Sequence, residues 1–173
     1  EKVTSVTAHL FNVHSKEVDD NVKVLLGFEG GLSMMLEVAT NCFITSPRWH
    51  VSGKDGTFVI KNWDCEGKIV KLADKDALKW ENDIVYTAAG PTRTMAPRPV
   101  NTTVELPLPD IKDAHGNEYH RHSSADIFYH NLIAAIEGRA ELHVKAEEAL
   151  RVIRIIELAF QSAEEKRGIA CSI

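Results

Sequence analysis

Alternation of apolar and polar side chains dominates the first third of the chain. Between Val3 and His14, Val6, Ala8 and Leu10 fall on one side and Thr7, His9 and Phe11 on the other. This two-residue period is that of a strand. VDDNVKVLLGFEGGLSMMLEVAT continues it: Val22, Val24, Leu26 and Phe28 share one face, and Leu32, Met34, Leu36 and Val38 share a face of the returning strand. Glu29-Gly30-Gly31 between them supplies the positive φ angles that a tight hairpin turn demands. On the opposite faces Lys23 and Glu37 are polar, whereas Leu25 and Met35 are not. A sheet with one solvated face is more polar there. Two readings stay open: scattered exposed apolar residues, or a second face covered by a partner.

Further strands are expected at Arg48–Ser52, Thr57–Lys61 and Lys68–Leu72, with SGKDG and Asp64-Cys65-Glu66-Gly67 as the turns between them. A short helix is expected over residues 74 to 81. DIVYTAAGPTRTMAPRPV, with three prolines and a glycine, reads as a long irregular excursion, and loops of that length are usually functional or mobile. VNTTVELP returns to strand alternation. The remainder is helical. Ser123 or Ser124 can cap a helix through ADIFYHNLIAAIEG, with Gly138 placed for its C-terminal end. A second helix is expected from near Lys145 to about Lys166, where Ala149, Val152, Ile153, Ile156, Ala159, Phe160 and Ala163 follow one helical face. Ile155 and Leu158 lie off that stripe, which suggests that the helix touches more than the sheet. Strands first and helices last predict an α+β domain, an antiparallel sheet with helices packed on one face.

Composition narrows the function classes. The chain has 173 residues, 44% of them hydrophobic and 26% charged, which suits one soluble domain with a real core. A formal charge of −5 without a long basic run argues against nucleic-acid binding. No apolar run approaches the ~20 residues of a membrane helix. Cys42, Cys65 and Cys171 are odd in number and widely spaced, the usage of reduced thiols in a cytoplasmic protein. The chain begins without methionine and enters a strand at Val3, so it is expected to be a fragment of a longer polypeptide.

HGNEYHRHS, residues 115 to 123, holds three of the eight histidines. In an extended segment His120 and His122 can point the same way, and zinc would need His115 or Glu118 as a third ligand. HxH by itself is common, and the metalloprotease pattern HExxH is absent, so no metal is expected. A solvated loop and the lining of an anionic or polyol pocket are the other readings. A GxSxG nucleophile elbow, GxGxxG and GxxxxGK are all missing. By its own motifs the chain has no catalytic apparatus and no cofactor site.

The ordered set VDDNVKVLLGFEGGLSMMLEVAT, PRWHVSGKDGTFVI, FYHNLIAAIEG and EEALRVIRIIELAFQSAEEKR resembles the Gfo/Idh/MocA oxidoreductases, over their C-terminal domain only. The resemblance implies an open-faced, mostly antiparallel sheet with helices on one face, residues 1–173 forming one substrate-binding and oligomerisation domain. It also implies a separate N-terminal Rossmann domain, absent from this chain, that binds NAD or NADP. The family's catalytic Lys and His belong to Glu-Lys-Pro and Asp-x-x-x-His motifs upstream of the resembling segment. Glu1-Lys2-Val3 lacks the proline, and no catalytic residue is carried over. The expected function is the C-terminal half of an NAD(P)-dependent oxidoreductase of a sugar, polyol or related substrate, inactive as a fragment. It is expected to form at least a homodimer through the open sheet face. His120, His122 and, more weakly, Arg48 are the candidate substrate-binding residues. A non-enzymatic binding or scaffold protein of the same fold is the alternative, and a metal-dependent hydrolase built on HGNEYHRH a third.

Overall fold

The computed structural model describes residues 1–74, 82–95, 103–108 and 125–173. They fall in two compact units, Glu1–Thr45 with Ser124–Ile173, and Ser46–Ser123. The fold class is the expected α+β: antiparallel sheets with two helices. The expected helix over 74 to 81 extends into residues 75–81, outside the described residues, as do HGNEYHRHS and the candidate caps Ser123 and Ser124.

The first unit is built on β1 (Val3–Phe11), β2 (Asn21–Phe28) and β3 (Ser33–Ala39), antiparallel neighbours in the order written. A single 3-10 turn, Glu29–Gly31, joins β2 to β3, and Gly30 and Gly31 take φ of 77° and 86°. Only glycine enters that left-handed region freely. Register places Val6, Leu26 and Met34 in one row and Ala8, Val24 and Leu36 in the next, on the same face. A register shift between Val3 and Ser5 breaks the strict alternation. It explains how Val3 and Val6, three apart, are both buried. Thr7, Leu25 and Met35 form a row on the opposite face, where Leu25 is 51% and Met35 73% exposed within this chain.

Helix α1 (Ala125–Ile136) is followed by Gly138 at φ 73°. Beyond it the buried Asn131 amide donates to the Glu141 carbonyl (2.8 Å) and accepts from the His143 N–H (2.8 Å), fixing the segment that leads to the next helix. Helix α2 (Ala146–Glu165) runs from Lys145 to a left-handed Lys166, close to the expected bounds. Its packing face differs from the expected one. Ala159 and Ser162 are the residues of α2 that are buried, with Ile155 and Leu158 against the same core, while Val152, Ile153, Ile156 and Phe160 are exposed. Both stripes have helical spacing, so periodicity alone does not choose between them. Small size and a hydroxyl decide. Ser162 Oγ accepts the Ala8 N–H (2.9 Å) and donates to the Arg167 carbonyl (2.7 Å).

That hydroxyl extends a very short strand. β10 (Ile169–Ala170), which the alternation did not reveal, pairs with β1 only at Ser5 and Val6. Ala8 lies past its end, and Ser162 meets the backbone donor there. The connection between β1 and β2 is organised by another side chain. Asp20 accepts the N–H groups of Val13 (2.6 Å), His14 (2.7 Å) and Ser15 (2.7 Å). Those bonds, Val13 first, hold the exposed carboxyl down at about 2 from an ordinary 3.8.

The second unit contains β4 (Trp49–Ser52), β5 (Gly56–Ile60), β6 (Gly67–Leu72) and β9 (Thr103–Pro107), antiparallel in that order. Val51, Phe58, Ile69 and Leu106 line up across it. The stretch expected to be irregular contains a hairpin instead, β7 (Ile84–Thr87) with β8 (Gly90–Arg93). Gly90 at φ 108° closes its two-residue turn, and Pro91 sits in a strand of a two-stranded ribbon, where a missing N–H is tolerated. Among the described residues no helix is long and apolar enough to cross a membrane.

Two outcomes are expected. Ser162→Ala strands the buried Ala8 N–H and lowers unfolding stability by about 1–3 kcal/mol, measured by urea denaturation. Asp20→Asn is destabilised relative to wild type at neutral pH. Because the folded pKa is depressed, the Asp20 contribution is full above pH 3.8 and is lost as pH falls toward about 2. Urea titrations across that range should therefore show the two proteins converging in acid.

Candidate functional site

The described part of the candidate site sits at one end of the second sheet. β4 begins there, β5 ends, β6 begins and β9 ends, since Trp49 pairs with Ile60, Ile60 with Gly67, and Lys68 with Pro107. Arg48 precedes β4 at this end. Residues 61–66 link β5 to β6 across it. The histidine segment follows β9 in sequence, but His120 and His122 lie outside the described residues, so of the three expected pocket residues only Arg48 has a described position.

Residues 61–66 form a self-bonded turn. The Lys61 N–H donates to the Glu66 carbonyl (2.7 Å), and the Cys65 N–H to the Asn62 carbonyl (3.3 Å). Asn62 and Glu66 are joined twice: Asn62 Nδ2 donates to Glu66 Oε2 (3.0 Å), and Asn62 Oδ1 accepts the Glu66 N–H (3.0 Å). Cys65 adopts φ 56°, an αL conformation seldom seen outside glycine and asparagine. Gly67 allows the closure, because a Cβ there would stand 2.0 Å from the Val59 carbonyl oxygen. Four short-range hydrogen bonds thus fix the turn that carries Trp63.

Trp63 is 75% exposed, yet one face of its indole is in use. The guanidinium carbon of Arg48 lies 3.7 Å from the ring centroid, within van der Waals contact of the π face. Such a contact is worth about 0.5–1 kcal/mol at an exposed site. Four other arginines spend N–H groups on oxygen. Arg154 pairs with Glu157 at 2.7 Å, Arg139 with Glu137, Arg167 with Glu165, and Arg151 reaches the Glu1 carbonyl. Among the described residues the Arg48 guanidinium has no hydrogen bond or ion pair, only the indole. A guanidinium held over a ring still has N–H donors to offer a carboxylate or phosphate.

Nothing in the sequence ties Trp63 to Arg48, since the two stand well apart along the chain and share no motif. The available signal was a large aromatic at the centre of a polar turn, Asn62-Trp63-Asp64-Cys65-Glu66.

The first turn of α2 holds Glu147 and Glu148, the latter accepting the Lys145 N–H at 3.0 Å. Acids in that position repel a pyrophosphate. No group of three or more His, Cys, Asp or Glu among the described residues is arranged to hold a metal ion.

Known proteins supply the wider frame. The sequence model of the oxidoreductase family's C-terminal alpha/beta domain, Gfo/Idh/MocA, matches residues 1–171. A solved NAD-binding protein from Listeria innocua is 34% identical over 98% of this chain, with a TM-score of 0.72. An oxidoreductase from Agrobacterium radiobacter, solved with NAD+, L-tartaric acid and magnesium, shares the fold at 15% identity and a TM-score of 0.59 over 98% of this chain. The chain spans 45% and 43% of those two proteins, under half of each. No functionally curated protein sequence matches. With nearly every residue inside the matched range, the chain belongs to the Gfo/Idh/MocA oxidoreductase family, as its C-terminal alpha/beta domain.

Proposed function

We infer that this domain supplies the substrate side of a cytoplasmic NAD(P)-dependent oxidoreductase that acts on a sugar, a polyol or a related hydroxyl compound. The observation that carries the reading is the family match over residues 1–171. Hydride transfer would then depend on nicotinamide held by other parts of the polypeptide, and this domain would orient the substrate. The NAD-binding Listeria relative supports the cofactor class, and the tartrate-bound Agrobacterium structure supports a small hydroxylated ligand. Arg48, His120 and His122 are the proposed pocket residues. Imidazole suits a hydroxyl-rich substrate because it donates and accepts hydrogen bonds and titrates near neutrality.

The full-length protein is expected to reduce NAD or NADP with at least one member of a panel of sugars and polyols, followed by nicotinamide absorbance. Residues 1–173 alone are expected to bind neither nucleotide by calorimetry. His120→Ala or His122→Ala should raise the KM for that substrate several-fold while cofactor affinity stays unchanged. Micromolar NAD affinity in the isolated chain, or unaltered kinetics in both variants, would contradict this assignment.

We also propose that the chain assembles as at least a homodimer through the face carrying Leu25 and Met35. These cross-strand neighbours are large, apolar and exposed in the single chain. A stable sheet-to-sheet contact buries upward of ~1,000 Å² in total. Met35→Lys should shift the dimer towards monomer in light scattering with the circular dichroism spectrum unchanged. A wild-type monomer at high micromolar concentration would contradict the proposal.

A further inference from the structure

We propose that Arg48 and Trp63 together form a subsite for the carboxylate of a polyhydroxy acid, Trp63 setting the position of the guanidinium and Arg48 reading the charge. This rests on the reading of Arg48 as a substrate-binding residue, and deepens it from a hydroxyl compound to a sugar acid or similar hydroxy acid.

Three observations converge. The first is the direction in which Arg48 is held. With its carbon 3.7 Å from the indole centroid, the guanidinium lies over the ring, and its N–H groups have no oxygen partner among the described residues. In a chain with 25 acidic and 20 basic residues, where Arg139, Arg154 and Arg167 are each matched to a glutamate, a guanidinium without an oxygen partner is an available carboxylate receptor. The second is rigidity. The Asn62–Glu66 double hydrogen bond and the closure at Gly67 hold the turn before any ligand arrives, so little order has to be created on binding. The same bond engages the Glu66 side chain with Asn62, leaving that carboxylate occupied within the turn. The third is the exposure of Trp63, 75%, which leaves indole surface beside the guanidinium for the C–H groups of a polyol chain. Charge and apolar stacking are thereby offered side by side, as a hydroxy acid presents them. A neutral polyol would use only the second.

The test is calorimetry on the full chain with D-gluconate and its uncharged counterpart D-glucitol. Gluconate should bind about tenfold or more tighter than glucitol, the discrimination expected of a charge-assisted hydrogen-bonded pair, and its affinity should fall as salt is raised. Arg48→Met should remove the preference for gluconate. Trp63→Ala should reduce it several-fold and Trp63→Phe should restore most of it. Both positions are exposed, so melting temperatures should stay close to wild type. Should Trp63→Ala fail to fold, Trp63→Phe and Arg48→Lys decide, since Lys keeps the charge but not the planar fork. Equal affinity for the two probes, no gluconate binding, or an undiminished preference in Arg48→Met would overturn the subsite. Turnover of neutral polyols with nicotinamide would still support the oxidoreductase reading in that case, so the two claims fail separately.

Discussion

The first unit depends on the seam between α2 and β1. Val3, Val6 and Ala8 are buried beside Ala159 and Ser162, and small residues on the helix let it approach the strand closely. One hydroxyl in that seam does the work that a longer strand would otherwise do: Ser162 accepts the Ala8 N–H and donates its O–H to the Arg167 carbonyl. The two ends of the chain are tied at the same place. Val3 and Ile173 exchange backbone hydrogen bonds at 2.7 and 3.1 Å, and the Cys171 thiol donates to the Val3 carbonyl at 3.4 Å, partial burial pushing its pKa up. Residues far apart in sequence thus share one core.

The second unit is stabilised differently. None of the fully buried apolar side chains among the described residues lies in it; they belong to the first unit. Its sheet rests on half-buried rows such as Phe58 with Ile69 and on an exposed Lys68–Glu105 pair at 2.7 Å, a kind of contact that contributes little. Its order at the Arg48 end comes from a turn that satisfies its own polar groups. This division suits a binding function. A strong core fixes the framework, and a locally rigid turn on a lightly packed sheet presents chemistry to solvent.

Much of the fold was legible because the first strands of the chain largely alternate apolar and polar residues and its second helix has plain ends. The β2–β3 hairpin could be read from Glu29-Gly30-Gly31, and α2 ends within a residue of the expected Lys166. Three features were not legible. Two residues, Ile169 and Ala170, are too few to show a period. The β7–β8 hairpin hid behind Pro91 and Gly90, residues that usually signal loops. The packing face of α2 was misjudged because a hydrophobic stripe counts Ser162 as polar, whereas its burial is rewarded by two hydrogen bonds. At the candidate site, Arg48 could be named from sequence, but its stacking on Trp63 could not, since it requires β4 and β5 to be paired first.

Hydrogen exchange of the full chain, with and without D-gluconate, tests most directly whether framework and recognition are divided in this way. Amides of Val6, Ala8, Val24 and Leu26 should exchange slowest in both conditions, and gluconate should add protection around Arg48 and across Asn62–Glu66 without altering the β1–α2 seam. Protection added at that seam instead, or none around Trp63, would contradict it.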